Sequence, residues 1–193
     1  MSELALTLYG PRDRFGLKGA RAADWLIANG VPVPKTPNTW VRAEEPSAAD
    51  ALLVARLGTA EFLLEEGQGG TTLKRIAPSL DERLPGVYPV MREDWAFHLG
   101  GEGVHDVLAQ VCNVNFAALP LESQPLIMTL MIGVAVLVVP QGGARDREPA
   151  AARGDPTERQ YRIWCDPTFG PYLGASLGAV VAECGGRYTG ACR

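Results

Sequence analysis

Histidine is scarce in this chain: only His98 and His105 occur among 193 residues. Neither has Asp, Glu or Cys at ligand spacing around it, which argues against a metal centre. Four cysteines stand at 112, 165, 184 and 192 with no Cys-x-x-Cys pairing, so free thiols are expected rather than zinc or disulfide staples. Cys112 reads as a small core residue, and Cys192 as part of a fraying tail. An excess of positive charge is also missing. With 18 basic against 22 acidic residues the net charge is −4, which excludes the broad cationic field a nucleic-acid binder needs. No long membrane-spanning run exists either. The longest apolar stretch, Leu126 to Val139, falls short of the ~20 residues a bilayer-crossing helix requires. Its β-branched second half and Gly133 fit buried strands better. The opening Met1-Ser-Glu-Leu-Ala lacks the basic start and apolar core of a secretory signal, so a cytoplasmic location is expected. No Gly-x-Ser-x-Gly elbow is present for nucleophilic catalysis.

What the chain does have is an internal echo. Phe15-Gly-Leu-Lys-Gly-Ala-Arg-Ala-Ala-Asp24-Trp-Leu26 recurs 82 positions later as Phe97-His-Leu-Gly-Gly-Glu-Gly-Val-His-Asp106-Val-Leu108. Each copy reads as a strand end, a glycine turn and an amphipathic helix. The fold class expected is therefore α+β, with two pseudo-symmetric α/β units, residues 1–84 and 85–193, packed as one body. Helices are expected over 20–29, with Ala22, Ala23, Leu26 and Ile27 on one face, and over 72–83, 102–111 and 168–182. The last would carry Phe169, Tyr172, Leu173, Leu177 and Val180 on one side, capped by Asp166 or Thr168. Strands are expected at 39–43, 51–57, 61–65, 87–99, 126–139 and 160–165, with 113–120 extended. Residues 4–9 read as a lead-in or edge strand, 141–159 as a solvated loop, and everything after 185 as a loose tail.

Candidate chemistry is thin. Asp24 and Asp106 recur in register, which invites a catalytic-pair reading, but each falls within its helix and reads rather as a solvent-facing or turn-bonding residue. Glu93 and Asp94 precede the aromatic strand of Trp95 and Phe97 and could hold an amine or a pterin ring; such a pair is more often a solvated turn, which is the favoured reading. Gly100, Gly101 and Gly103 follow a strand and precede a helix, as in a phosphate cradle, yet the fingerprint is incomplete and a tight turn accounts for them. Trp40, Trp95 and Trp164 lie in strands whose alternation turns one face outward, which makes them possible partner-interface anchors. Trp25 reads as core. No catalytic residue is assigned.

The order of these motifs resembles one family. Arg14-Phe-Gly-Leu-Lys-Gly through Leu26, then Gly30 with its prolines and Asn38, is similar to the gamma subunit of heterotetrameric sarcosine oxidase. So are Ala51-Leu-Leu-Val-Ala-Arg-Leu-Gly58, Glu61-Phe-Leu-Leu64, Trp95-Ala-Phe-His-Leu-Gly-Gly101 and Val107-Leu-Ala109. The likeness covers nearly the whole chain. More distantly, the sequence resembles the folate-binding domain of aminomethyltransferases. The resemblance implies a non-catalytic subunit of a flavoenzyme complex that oxidatively demethylates sarcosine or another N-methyl amine. It implies alpha, beta and delta partner subunits, no cofactor on this chain, FAD, FMN, NAD and tetrahydrofolate on the partners, and zinc on delta. The family's last helix usually opens on an Arg-Ser-Phe-like segment; here it reads Asp166-Pro-Thr-Phe-Gly-Pro171. A free-standing tetrahydrofolate-binding transferase is the alternative reading.

Overall fold

The computed structural model describes residues 3–10, 12–43, 51–67, 69–80, 84–142 and 159–190. Residues 44–50, most of the 141–159 loop, and Cys192 lie outside the described residues. Described elements run in chain order from β1 (Ala5–Leu8), β2 (Asp13–Lys18) and α1 (Ala22–Ala28) to β3 (Thr39–Arg42), β4 (Leu53–Arg56) and β5 (Glu61–Glu66). Next come α2 (Thr72–Ile76), β6 (Tyr88–Val90), β7 (Trp95–Gly100) and α3 (Val104–Val111). The hairpin β8 (Ile127–Met131) and β9 (Val134–Gln141) follows, then β10 (Gln160–Cys165), α4 (Gly170–Glu183) and β11 (Arg187–Thr189). The architecture is α+β, with two sheets and four α-helices among the described residues.

Contacts divide the chain into two compact units, Pro11–Glu93, and Met1–Gly10 together with Asp94–Arg193. The sequence suggested a single cut near residue 84; the strand pairings explain why two crossings are found instead. In the Pro11–Glu93 unit the strand order is β3-β4-β5-β2-β6, antiparallel throughout. In the other unit it is β11-β1-β7-β10-β9-β8. β6 precedes β7 in the chain but pairs with β2, and β1 precedes β2 but pairs with β7. Each unit's sheet is therefore completed by a strand that leads into the other unit.

Local chemistry accounts for the elements. In α1, Ala22 and Leu26 turn into the core formed by Leu17, Val54, Phe62, Leu64, Leu73 and Ile76. The helix stops at Gly30, whose φ of 75° suits glycine; its N–H bonds Ile27 O while Val31 N–H bonds Leu26 O. Ile27, expected on the buried face, is exposed, because the core-facing stripe is narrower than the apolar arc of the sequence. α2 ends at Ile76 and passes into a 3₁₀ turn at Ala77–Leu80. Pro78 has no N–H to continue an α-helical ladder, which is why the helix does not reach residue 83.

In the second unit α3 buries Val104, Val107, Leu108 and Val111, the spacing of one helical face. They pack with Leu6, Phe97, Leu99, Tyr161, Ile163, Leu173 and Leu177 in one core. Part of the stretch expected to be extended is a 3₁₀ turn, Phe116–Ala118, which drives Phe116 into that core. α4 packs through Leu173, Leu177 and Val181 with three buried glycines, while Phe169 and Tyr172 face outward, contrary to the expected stripe. Asp166 Oδ1 accepts the Thr168 N–H at 2.9 Å and caps the 3₁₀ turn leading into α4. Within the stretch expected as a loose tail, Arg187–Thr189 pairs in parallel with β1. That pairing makes β1 an interior strand rather than a lead-in or an edge.

Candidate functional site

The antiparallel register of β7 and β10 sets His98 opposite Arg162 and Ala96 opposite Trp164. Strand alternation places all four on the face of the sheet away from the core of α3 and α4. Tyr9 joins them from the end of β1, held by its backbone N–H to Ala96 O at 2.8 Å. The result is a compact cluster around one guanidinium. Arg162, 5% exposed, lies 4.4 Å from the Tyr9 ring centre and 5.9 Å from that of Trp164. Its Nη2 also donates to the Tyr9 hydroxyl at 2.8 Å. The Tyr9 and His98 rings are stacked with centroids 6.2 Å apart, and His98 Nε2 lies 3.2 Å from Gln160 Oε1. Burial pushes the His98 pKa below its usual 6.5, and the Arg162 charge adds to this against the hydrogen bond to Gln160. Gln141 is buried on the neighbouring strand, and its Nε2 has no hydrogen-bond partner among the described residues.

Arginine remains protonated and offers donors only, so this cluster can hold aromatic faces or negative charge but cannot shuttle protons. His98, held neutral, is its one titrating neighbour near physiological pH among the residues named here. A second polar pair lies on the core side. His105 Nε2 is 2.7 Å from the hydroxyl of Tyr161, whose ring meets Phe116 edge-on. Burial raises the Tyr161 pKa to about 12. This pair ties α3 to β10.

Asp24 and Asp106 are both exposed, each in the first turn of its helix, where a carboxylate favours the helix dipole. Glu93 is exposed, and Asp94 is half-buried close enough to Cys165 to raise that thiol's pKa. The glycine turn before α3 is a close-packed one: a Cβ at Gly101 would fall 2.3 Å from the Glu3 carbonyl oxygen. Trp164 and Trp40 are buried, which corrects their reading as surface anchors; Trp95 is half-buried against Phe97. Alternation in a strand names two faces but does not say which is covered. Trp25 is likewise half-buried, packed on the core of its unit.

Four charged residues at buried or nearly buried positions carried no recognised signal in the sequence. Arg14 and Glu65 form an ion pair across β2 and β5, and Arg162 centres the cluster above. Glu66, also fully buried, accepts the backbone N–H groups of Thr72 and Leu73. That fills the start of α2 with an internal carboxylate. Among the described residues no group of three His, Cys, Asp or Glu could hold a metal ion, and no helix is long and apolar enough to cross a membrane.

No protein-family model matches the sequence, and no curated protein matches it by sequence. Solved structures do share its fold. A chain of heterotetrameric sarcosine oxidase from Corynebacterium sp. U-96, solved with pyrrole 2-carboxylate, superposes with a TM-score of 0.65 at 20% identity. The match covers 92% of this chain and 83% of that one. The glycine cleavage system aminomethyltransferase T of Bartonella henselae superposes with a TM-score of 0.64 at 15% identity over 98% of this chain. The present chain spans about half of that transferase, 48% of its length. At these identities the likeness establishes the fold, and it falls on the two groups of proteins that the sequence resembles.

Proposed function

We propose that this chain is a non-catalytic, gamma-type subunit of a sarcosine oxidase-like complex that oxidatively demethylates N-methyl amines in the cytoplasm. The observation that carries this reading is coverage. The chain accounts for 92% of itself and 83% of a chain drawn from a heterotetrameric oxidase, but for only 48% of the transferase. In this reading alpha, beta and delta subunits are the partners. FAD, FMN, NAD and tetrahydrofolate belong to the larger subunits, and zinc to delta. Two ancestral copies of one unit, begun at β1 and at β6, account for the 82-residue echo and for the matching order of strands β2 to β5 and β7 to β10. Half-buried Trp95, with exposed Phe169 and Tyr172, is the surface proposed to meet a partner.

Purification of the chain alone and with the products of adjacent reading frames tests this. The isolated chain should be colourless and should not oxidise sarcosine. With a flavin-bearing partner it should co-purify at fixed stoichiometry and raise the yield of active complex. Sarcosine turnover by the isolated chain would overturn the reading.

A second reading, a free-standing tetrahydrofolate-binding protein, is favoured by the likeness to an aminomethyltransferase over 98% of this chain. Saturable quenching of tryptophan fluorescence by tetrahydrofolate would favour it.

A further inference from the structure

Among the described residues the four sheet edges are not alike. β11 carries Arg187, β3 carries Arg42 and β6 carries Pro89, each a residue that discourages pairing with another chain. The fourth edge, β8, reads Ile127-Met-Thr-Leu-Met131, with no charge, proline or glycine. It pairs with β9 on one side, and among the described residues no strand pairs with it on the other.

The hairpin fixes which backbone groups face that open side. Ile132 and Gly133 form a two-residue turn, so Met131 and Val134 are the closing pair that exchanges both hydrogen bonds. Alternation then turns the backbone N–H and C=O of Met128 and Leu130 outward, away from β9. The side chains of these same two residues are 51% and 60% exposed, on the sheet face opposite the core. On that face Met128 lies opposite Leu137, and Leu137 lies opposite Trp164. An apolar face that is fully covered at Trp164 thus runs out bare to the edge.

We propose that β8 pairs antiparallel with β8 of a second copy of this chain, about a twofold axis at Thr129, so that the sheet continues through a dimer. The strand is complementary to itself in this register. Met128 meets Leu130 of the second copy, and Leu130 meets its Met128, so each outward backbone group finds a partner. The exposed side chains of both copies then stand side by side on one face. No ionisable residue lies on the strand, so the net charge of −4 on each copy puts no like charges directly opposite one another. The dimer does not depend on the function proposed above.

Sedimentation of the full-length chain between about 1 and 100 µM tests this by mass action. The wild type should dimerise, and Leu130→Lys or Met128→Glu should weaken the dimer by about tenfold or more while leaving the thermal midpoint unchanged at concentrations where the wild type is monomeric. Register is read by cross-linking, in a Cys184→Ser, Cys192→Ser background. Met128→Cys mixed with Leu130→Cys should join unlike chains in preference to like ones. A wild type that stays monomeric across the range overturns the proposal. So does a Leu130→Lys variant that dimerises as tightly as the wild type, or a cross-link that favours like chains. None of these outcomes bears on amine oxidation, which separates this test from that of the proposed function.

Discussion

The Glu66 carboxylate accepts the backbone N–H of Leu73 at 2.9 Å, and its other oxygen accepts that of Thr72 at 2.8 Å. Both donors belong to the first turn of α2, where no intrahelical partner exists. A strand thus ends on the residue that caps the helix after it. Glu66 is fully buried, and the turn between is folded so closely over it that a Cβ at Gly70 would collide with its side chain. Glu66→Ala should cost about 2–3 kcal/mol and Glu66→Gln about 1–2, read by equilibrium urea unfolding.

His98 gives the fold a dependence on acidity. Its folded pKa lies below the ordinary 6.5, first through burial and then through Arg162. Above pH 6.5 the ring is neutral in both folded and unfolded chains, so it contributes nothing to the balance. As pH falls below that value the unfolded chain takes up the proton first, and stability declines until the folded pKa is passed. His105 shifts in the same direction, again mainly by burial. Thermal midpoints should therefore drop between pH 7 and 5, and His98→Gln should flatten part of the slope. An unchanged slope in that variant would assign the effect to other groups.

Cys165 should be inert in the native protein. Burial, with the nearby charges of Asp94 and Asp166, pushes its thiol to about 11, so the thiolate is scarce at pH 8. Cys112 is buried and Cys184 half-exposed. Iodoacetamide should label Cys184 at least about 100-fold faster than Cys165, as followed by peptide mass mapping, and the difference should vanish in denaturant.

Gly170 leaves no room for a methyl group. A Cβ there would fall 2.2 Å from a ring carbon of Trp95. Gly170→Ala should destabilise the fold by about 1–3 kcal/mol through overpacking and should shift the Trp95 emission. Gly30→Ala acts by a different route, since open space surrounds Gly30 and only its positive φ resists the side chain.

Local periodicity made much of this fold legible. The valine and leucine spacing of α3, the apolar runs of β5 and β10 and the Asn29-Gly30 stop of α1 all stand in the sequence as they stand in the structure. What escaped depends on partners far away. β11 looks like a polar tail until β1, more than 180 residues earlier, is laid beside it. Glu65 closes a strand by pattern and Glu66 follows it without any signal of its own, yet one faces Arg14 and the other the start of α2. Arg162 is an ordinary strand residue by pattern. Only the register that brings Tyr9, His98 and Trp164 around it makes a cluster.

The crossed placement of β1 and β6 also constrains how the chain is made. β1 is synthesised well before its neighbours, β7 lying roughly 90 positions and β11 about 180 positions further along the chain. The Pro11–Glu93 unit can close as soon as β6 emerges, but the other must wait for β11 with its first strand unclaimed. A stalled or truncated translation product would carry a finished unit beside a loose, apolar leader.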